Sequence, residues 1–189
     1  MLSDRDLSRR KFCALGAMAA ASLLLPRSLS AATPASGNRQ LSFFHTHTGE
    51  SLAAEYCCEG VYKPESLRRI NHLLRDFRVN EVKAIDVRLL DLLFSLNGQL
   101  QTREPYHVIS GYRSPRTNTM LRARGGAHTG VASKSLHMVG KAIDIRVPGV
   151  PLGQLHKAAV SLEKGGVGIY PSSNFVHVDV GRVRYWSGN

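Results

Sequence analysis

The chain has 189 residues, of which 43% are hydrophobic, and it carries 25 basic against 14 acidic side chains. This length and composition suit one domain with a substantial core. The basic residues are scattered and only one Trp is present, so the stacking and phosphate-binding pattern of a nucleic-acid binder is missing.

Residues 1–32 have the organisation of an export signal. The basic sequence SRRKF at 8–12 precedes an apolar run that is too short to span a bilayer comfortably, and SAA at 30–32 supplies small residues for cleavage. The paired arginines resemble the twin-arginine export motif, with Cys13 where that motif usually has Leu. We therefore predict a periplasmic protein exported by the twin-arginine pathway. Because no lipid-accepting cysteine lies near the cleavage point, we expect no stable membrane anchor after cleavage.

The charge of the mature chain indicates an anionic partner. Residues 1–32 hold five of the basic and two of the acidic side chains, so their removal leaves a net charge of +8. Such a charge attracts anions over a long range. Outside the cytoplasm, this favours the carboxylate-rich cell wall over nucleic acid as the partner.

The remaining cysteines, Cys57 and Cys58, are adjacent in the sequence. A disulfide between neighbours would be strained, and the pair fits better as apolar residues of a strand. The sequence therefore predicts neither a disulfide framework nor a cysteine-ligated zinc site.

Residues 33–40 are predicted to form a flexible tether, and residues 41–189 a single domain. This domain begins with two β-rich runs around Thr48-Gly49-Glu50, which indicate a hairpin. His45 and His47 would share one face of its first strand. A second metal site there is one interpretation, and a partly exposed strand face is the simpler one.

Two helices are predicted after the hairpin. Pro64 opens the first, in which apolar residues recur at helical spacing as far as Phe77. The second lies near 86–97, with Asp86 as its N-cap and Gly98 as its stop. Both patterns are typical of helices that pack against a core and not of functional sites.

The second half of the domain alternates short strands with turns and one helix. That helix is predicted from about Leu152 to Glu163. The predicted strands have the sequences HVIS, AIDIRV, GVGIY and FVHVDV. Three or four neighbouring strands joined in this way predict an α+β domain with a small, mostly antiparallel sheet.

A histidine and an aspartate converge around the glycine in SKSLHMVGKAIDIRV, residues 133–147. Period-two alternation places Ile143 and Ile145 on one strand face and Asp144 on the other. Gly140 lets the chain bend sharply before that strand, so His137 and Asp144 can approach a single point. That point is a candidate metal site.

The last predicted strand adds a second imidazole. His177 and Asp179 share one of its faces, while valines occupy the other. His137, Asp144 and His177 would then supply two nitrogen ligands and one oxygen ligand. Three such ligands with one coordination position open are typical of catalytic zinc, whereas structural zinc usually has four protein ligands. We therefore predict one Zn²⁺ per chain.

Three motifs resemble a known family. SLHMVGKAID matches Ser-x-His-x-x-Gly-x-Ala-x-Asp, the signature of zinc peptidases that group D-Ala-D-Ala carboxypeptidases and dipeptidases with lysostaphin and the hedgehog domain. SGYRS resembles the arginine-bearing motif of the D-Ala-D-Ala branch, and FVHVD resembles the strand with the last ligand. From Leu41 to Trp186, the chain resembles the twin-arginine-exported murein endopeptidase K group. This resemblance implies the hedgehog/D-Ala-D-Ala peptidase fold, in which N-terminal helices pack against the sheet that carries zinc.

The resemblance also implies roles for individual residues. His137, Asp144 and His177 would bind Zn²⁺, and Arg113 would hold either a substrate carboxylate or the developing oxyanion. Tyr112, its neighbour in the motif, is predicted to bind substrate with it. A structural ion pair in a turn is the alternative for Arg113.

The general base departs from the family pattern. Relatives place it as Glu three residues or His two residues before the final ligand, where this chain has Asn174 and Phe175. Neither side chain takes a proton from water. Asp179 is one candidate for the base, or alternatively it orients the imidazole of His177. His128, in the polar loop, is the other candidate.

The favoured function is zinc-dependent hydrolysis of peptide cross-links in peptidoglycan, with 3-3 cross-links between diaminopimelate residues as one candidate substrate. A carboxypeptidase or dipeptidase that acts on D-Ala-D-Ala ends is the alternative enzyme. The non-enzymatic alternative is a zinc-containing cell-wall binding module without turnover, and the missing general base supports it.

Overall fold

The structure is a computed structural model that describes residues 37–125 and 131–188. The predicted signal, residues 1–32, and His128 lie outside these ranges. The described residues belong to one compact unit. Within them, no helix is both long enough and apolar enough to cross a bilayer.

Eight strands and four α-helices follow one another along the described residues. The strands are β1 (Arg39–His45), β2 (Ser51–Cys58), β3 (Val61–Tyr62), β4 (Tyr106–Ser110), β5 (Ala142–Arg146), β6 (Gly166–Tyr170), β7 (Phe175–Asp179) and β8 (Arg184–Ser187). The α-helices are α1 (Pro64–Leu73), α2 (Val87–Leu100), α3 (Pro115–Gly125) and α4 (Leu152–Ser161), and a short 3₁₀ helix covers Leu136–Val139.

All eight strands form one mixed sheet in the order β3-β2-β1-β4-β5-β7-β6-β8. Five neighbouring pairs are antiparallel, and the β1–β4 and β6–β8 pairs are parallel. The α+β class is therefore confirmed. The sheet is larger than predicted, because the N-terminal hairpin joins it through β4 and because β8 extends its far edge.

The first strand begins earlier than the sequence analysis predicted. Arg39 and Gln40 already pair with β2, so the last two residues of the predicted tether belong to the sheet. Arg39 also donates to Asp91 of α2 at 2.6 Å, and this ion pair ties the strand to the helix that packs on it.

The core lies between one face of the sheet and the helices. Contacts join α1 to β2, α2 to β1, and α4 to both β6 and β7. Ile143 and Ile145 are fully buried on that face, as the alternation in β5 predicts. Removing their side chains from water favours this packing by about 1.5–3 kcal/mol each.

The start of α2 was predicted correctly and its end was not. The carboxylate of Asp86 accepts a hydrogen bond from the backbone N–H of Arg88 at 3.0 Å, as an N-cap does. Gly98 does not stop the helix, which continues to Leu100 and ends with Gln101 in the left-handed region at φ 51°. Glycine costs a helix only about 1 kcal/mol relative to alanine, and the burial of Leu100 offsets that cost.

Candidate metal centre

The site is built on a cross-strand pair. Asp144 of β5 and His177 of β7 are directly opposite in the antiparallel register, where side chains on the same face approach closely. The Oδ1 atom of Asp144 is 2.8 Å from Nδ1 of His177. Both residues are buried, although they lie on the face opposite the apolar core.

His137 reaches this pair from the 3₁₀ helix that precedes β5. Gly140 ends that helix at φ 67°, and a Cβ there would lie 2.3 Å from the carbonyl oxygen of Ala84. The position therefore requires glycine, as predicted from the bend. Nε2 of His137 lies 3.2 Å from Nδ1 of His177 and 3.3 Å from Oδ1 of Asp144.

The three side chains fit a tetrahedral metal. Their donor atoms form a triangle with sides of 2.8, 3.2 and 3.3 Å, whereas ligands at 2.0–2.1 Å from zinc are roughly 3.3 Å apart. In residues 37–125 and 131–188, this is the one cluster of three or more metal-binding side chains. Two imidazole nitrogens and a carboxylate oxygen are also the donor types that suit catalytic zinc.

Hydrogen bonds to the opposite ring nitrogens orient both imidazoles. Nδ1 of His137 lies 2.8 Å from the carbonyl oxygen of Gly111, to which it donates, so that Nε2 is left without a proton. Nε2 of His177 lies 3.0 Å from Oδ2 of Asp179 and donates to it, which leaves Nδ1 for the site. Such bonds fix the tautomer and the direction of metal-binding histidines.

Asp179 lies on the side of His177 away from the three donor atoms and is fully buried. Its carboxylate also accepts from the backbone N–H groups of Gly166 at 3.1 Å and Gly181 at 2.8 Å, and from Arg184 at 2.6 and 3.0 Å. Burial would raise the pKa of Asp179, but the bonds from His177 and Arg184 hold that pKa well below its usual value. This position favours orientation of His177 over the role of general base.

The charges in the cluster are coupled. Burial would raise the pKa of Asp144, but the two imidazoles beside it hold that pKa well below the ordinary value. Burial lowers the pKa of His137. Burial also acts to lower the pKa of His177, but the hydrogen bonds to Asp144 and Asp179 outweigh it and raise the pKa to about 9. When no metal is bound, these hydrogen bonds therefore favour the protonated imidazolium form of His177 at neutral pH.

Sequence comparison identifies the family. The family model described as peptidoglycan L,D-endopeptidase MepK matches residues 33–186. Peptidoglycan L,D-endopeptidase MepK from Escherichia coli K12 is 46% identical over 181 residues, which cover 96% of this chain and 98% of that protein. A probable peptidoglycan L,D-endopeptidase MepK from Haemophilus influenzae is 41% identical over 184 residues, 97% of each chain. The chain belongs to the MepK family. The resemblance drawn from the three motifs is therefore confirmed.

In this MepK-family chain, the cluster opens into a cavity of about 630 Å³. Asp144 is the one carboxylate among the described residues that line it. The cationic residues of the lining are Arg78, Arg113, Lys134 and Arg184. Arg184 is paired with Asp179. The other three cations enter no ion pair of the described chain, so the cavity suits an anionic ligand.

Arg113 follows β4 and enters the cavity beside Asp144. It is 7% exposed, and its Nε atom has no hydrogen-bond partner among the described residues. None of the ion pairs of the described chain includes it, which argues against the alternative of a structural ion pair. Burial lowers the pKa of Arg113, yet an arginine stays charged at neutral pH. An unpaired buried cation here is available for substrate.

Tyr112 is not among the residues that line the cavity, so its substrate-binding role stays a prediction. Its side chain is 4% exposed, and its hydroxyl donates to Oε1 of Glu81 at 2.5 Å. It anchors the loop that carries Arg113.

The two N-terminal histidines do not form a second metal site with a third donor in the described chain. β1 ends at His45, so His47 lies in the turn and does not share a strand face with it. His45 is fully buried, and its Nδ1 accepts from the backbone N–H groups of His47 and Thr48 at 3.3 Å each. His47 stacks on Phe77, with ring centroids 4.8 Å apart.

One wall of the cavity comes from β6 and β8, and the sequence analysis did not predict it. The Trp186 ring lies 5.2 Å from that of His177, and its indole N–H donates to the Tyr170 hydroxyl at 2.9 Å. A Cβ on Gly168 would lie 2.3 Å from the indole, so the glycine makes room for this ring. The signal available in the sequence was the period-two spacing of Arg184 and Trp186, which places both side chains on one face of a strand.

Proposed function

We propose that this chain is a zinc-dependent murein endopeptidase that hydrolyses peptide cross-links of peptidoglycan. The observation that carries the proposal is the buried cluster of His137, Asp144 and His177, which opens into a cavity beside the unpaired cation Arg113. Family membership supports the same chemistry, since the relatives are named peptidoglycan L,D-endopeptidases. Cross-links between two diaminopimelate residues are the substrate we favour.

Zinc is the metal that this donor set fits best. Two nitrogens and one oxygen in a compact triangle suit tetrahedral Zn²⁺, whereas magnesium and calcium prefer six or more oxygen ligands. When bound, zinc supplies Lewis acidity to the carbonyl under attack and lowers the pKa of water. His137, Asp144 and His177 would hold one ion per chain.

Arg113 acts on charge that develops during hydrolysis. Its guanidinium lines the same cavity as the cluster. It enters no ion pair of the described chain, so no such contact has to be broken before it binds substrate. A preorganised cation stabilises the negative charge that forms on the carbonyl oxygen, or alternatively it binds a substrate carboxylate. Either role uses the same free N–H donors.

Asp179 positions the site instead of taking a proton from water. Its carboxylate is fully committed to His177, Arg184 and two backbone N–H groups, so it keeps Nδ1 of His177 directed at the other two donors. His128 remains our candidate for the general base.

We place this reaction in the periplasm. The twin-arginine signal that we predict in residues 1–32 supports export, and the net charge of +8 that remains without these residues favours binding to the anionic cell wall. Both features bring the cavity to its polymeric substrate.

Mass spectrometry of isolated peptidoglycan tests the function. Sacculi and purified muropeptides are incubated with the zinc-loaded mature domain or with its His137→Ala variant. We expect cross-linked dimers to become monomers only with the parent protein. Release of single D-Ala residues with the dimers intact would instead identify a carboxypeptidase, and binding without any new product would identify a non-catalytic module.

A further inference from the structure

A second arginine, Arg78, lines the same cavity as Arg113. Its guanidinium lies over the ring of Phe77, 4.3 Å from the centroid. Its side chain enters none of the ion pairs of residues 37–125 and 131–188. A cation held by an aromatic face keeps its N–H donors available for a ligand.

The aromatic support of Arg78 is held in place by the N-terminal hairpin. His47 stacks on Phe77 at an interplanar angle of 17°. The His45 ring makes an edge-to-face contact with the same ring, with centroids 5.3 Å apart. His45 is fully buried, so this support is fixed to the core. A guanidinium on a fixed platform loses less entropy when it binds a ligand than a free one.

One buried carboxylate fixes the backbone beside both arginines. Asp76, which is 1% exposed, accepts at Oδ1 from the backbone N–H of Arg78 at 3.2 Å. At Oδ2 it accepts from the backbone N–H of Ser114 at 2.9 Å, directly after Arg113. Because both segments are bonded to one side chain, Arg78 and Arg113 keep a constrained relative position.

The charge balance of the cavity indicates what Arg78 binds. Asp144 belongs to the metal cluster, and Asp179 neutralises Arg184. The described lining therefore offers no carboxylate to Arg78. The planar fork of a guanidinium matches a carboxylate through two parallel hydrogen bonds, and stem peptides carry free carboxylates, including the second one of diaminopimelate.

We propose that Arg78 binds a carboxylate of the stem peptide away from the bond that is cleaved, so that Arg78 and Arg113 hold the substrate at two points. This rests on the proposed function, because it takes the ligand to be a peptidoglycan peptide. Arg78 is then a residue that determines specificity by recognising a free acid in the substrate.

The test compares two soluble cross-linked peptides, one with free diaminopimelate carboxylates and one with these carboxylates amidated. The proteins are the parent, Arg78→Met, which replaces the guanidinium by an unbranched apolar side chain, and the control Arg69→Met. Arg69 is an exposed arginine outside the cavity, so its loss changes the net charge equally. For the parent and the control, amidation should raise KM on the order of tenfold, the usual effect of one charged hydrogen bond, with kcat nearly constant. For Arg78→Met, both peptides should show the raised KM.

An equal rise of KM on amidation in the parent and in Arg78→Met would overturn the proposal. So would loss of the effect in Arg113→Met alone, because Arg113 would then be the residue that recognises the acid. Titration calorimetry of the same peptides with metal-free protein separates this proposal from the proposed function. If the parent cleaves neither peptide, the proposed function fails. The proposal for Arg78 is still supported if the parent binds the amidated peptide roughly tenfold more weakly than the free acid while Arg78→Met binds the two equally. Equal binding of both peptides by the parent would exclude it.

Discussion

Asp144 and His177 face each other across the β5–β7 pair, and Oδ1 of Asp144 lies 2.8 Å from Nδ1 of His177. The strand register sets this distance, so the site is as rigid as the centre of the sheet. His137 is the one donor of the three that comes from outside a strand, and Gly140 fixes its approach. Two donors on paired strands and a third on a glycine-terminated turn form a preorganised site.

Loss of any one donor should empty the site. For Asp144→Asn and His137→Ala, we expect the zinc content of purified protein to fall from one ion per chain to nearly none, because two remaining ligands hold zinc poorly. Inductively coupled plasma mass spectrometry measures this content. His72→Ala, which removes an exposed histidine of α1, should retain its zinc. Full occupancy in both site variants would exclude the cluster as the zinc site.

The stability of the metal-free protein should decrease between pH 6.5 and 9. The folded state raises the pKa of His177 from 6.5 to about 9, so it binds more protons than the unfolded chain in this window. The stabilisation is complete below pH 6.5 and is lost as the pH rises through 9, by at most about 3 kcal/mol. Urea unfolding in the presence of a chelator measures the free energy of unfolding at each pH.

His177→Gln is the control for this pH dependence. It removes the titrating group, so its free energy of unfolding should vary less than that of the parent over the same window. Zinc should reverse the trend in the parent, since it displaces the proton and binds more tightly as the pH rises. The same decrease in His177→Gln as in the parent would assign the titration to another group.

Replacement of Arg113 should impair turnover and spare the metal. Arg113→Ala is expected to lower kcat on the order of a hundredfold, as removal of one electrostatic stabiliser does. Zinc content and folding should be unaffected, because Arg113 has no ion-pair partner in the described chain that its loss would leave buried and unpaired. Arg116→Ala, an exposed arginine outside the cavity, serves as control. Unchanged kcat in Arg113→Ala would return Arg113 to a structural role.

Period-two alternation predicted the strand faces correctly, because it reflects backbone geometry alone. Ile143 and Ile145 are buried in the core while Asp144 lies on the other face, as the residues of β5 indicate. Tyr112 lies outside the cavity lining although its neighbour Arg113 is part of it, because adjacency in the sequence does not place two side chains on one surface. The alternation rule failed where the strand ended early: β1 stops at His45, so His47 lies in the turn and does not share a face with it.

Strand neighbours were not predictable from spacing. The parallel pairing of β1 with β4 and of β6 with β8 joins segments that are distant along the chain, and no local pattern encodes such contacts. β8 was missed because it is only four residues long and none of them is fully buried, so it lacks an apolar run. The cavity wall with Trp186 was missed for the same reason.

Asp179→Asn distinguishes an orienting residue from a general base. The amide can keep an oxygen toward Gly166 and Gly181, but its NH₂ group would then face Nε2 of His177. That nitrogen must become an acceptor, and the proton moves to Nδ1, which blocks the atom needed for the metal. Zinc affinity should therefore fall roughly 10 to 100-fold, with activity recovered at excess zinc. Competition with a chelator measures the affinity, and nitrogen NMR of the imidazole reports the tautomer of His177.

The opposite pattern would assign Asp179 to catalysis. If zinc affinity and the tautomer match the parent while kcat falls roughly 10² to 10⁴-fold at saturating zinc, Asp179 is the base. Arg182→Met, an exposed arginine two residues from Arg184, controls for a general change near β8. Parental behaviour of Asp179→Asn in both measurements would exclude both roles. In the orienting case the base lies elsewhere, and we expect His128→Ala to lower kcat without changing zinc affinity.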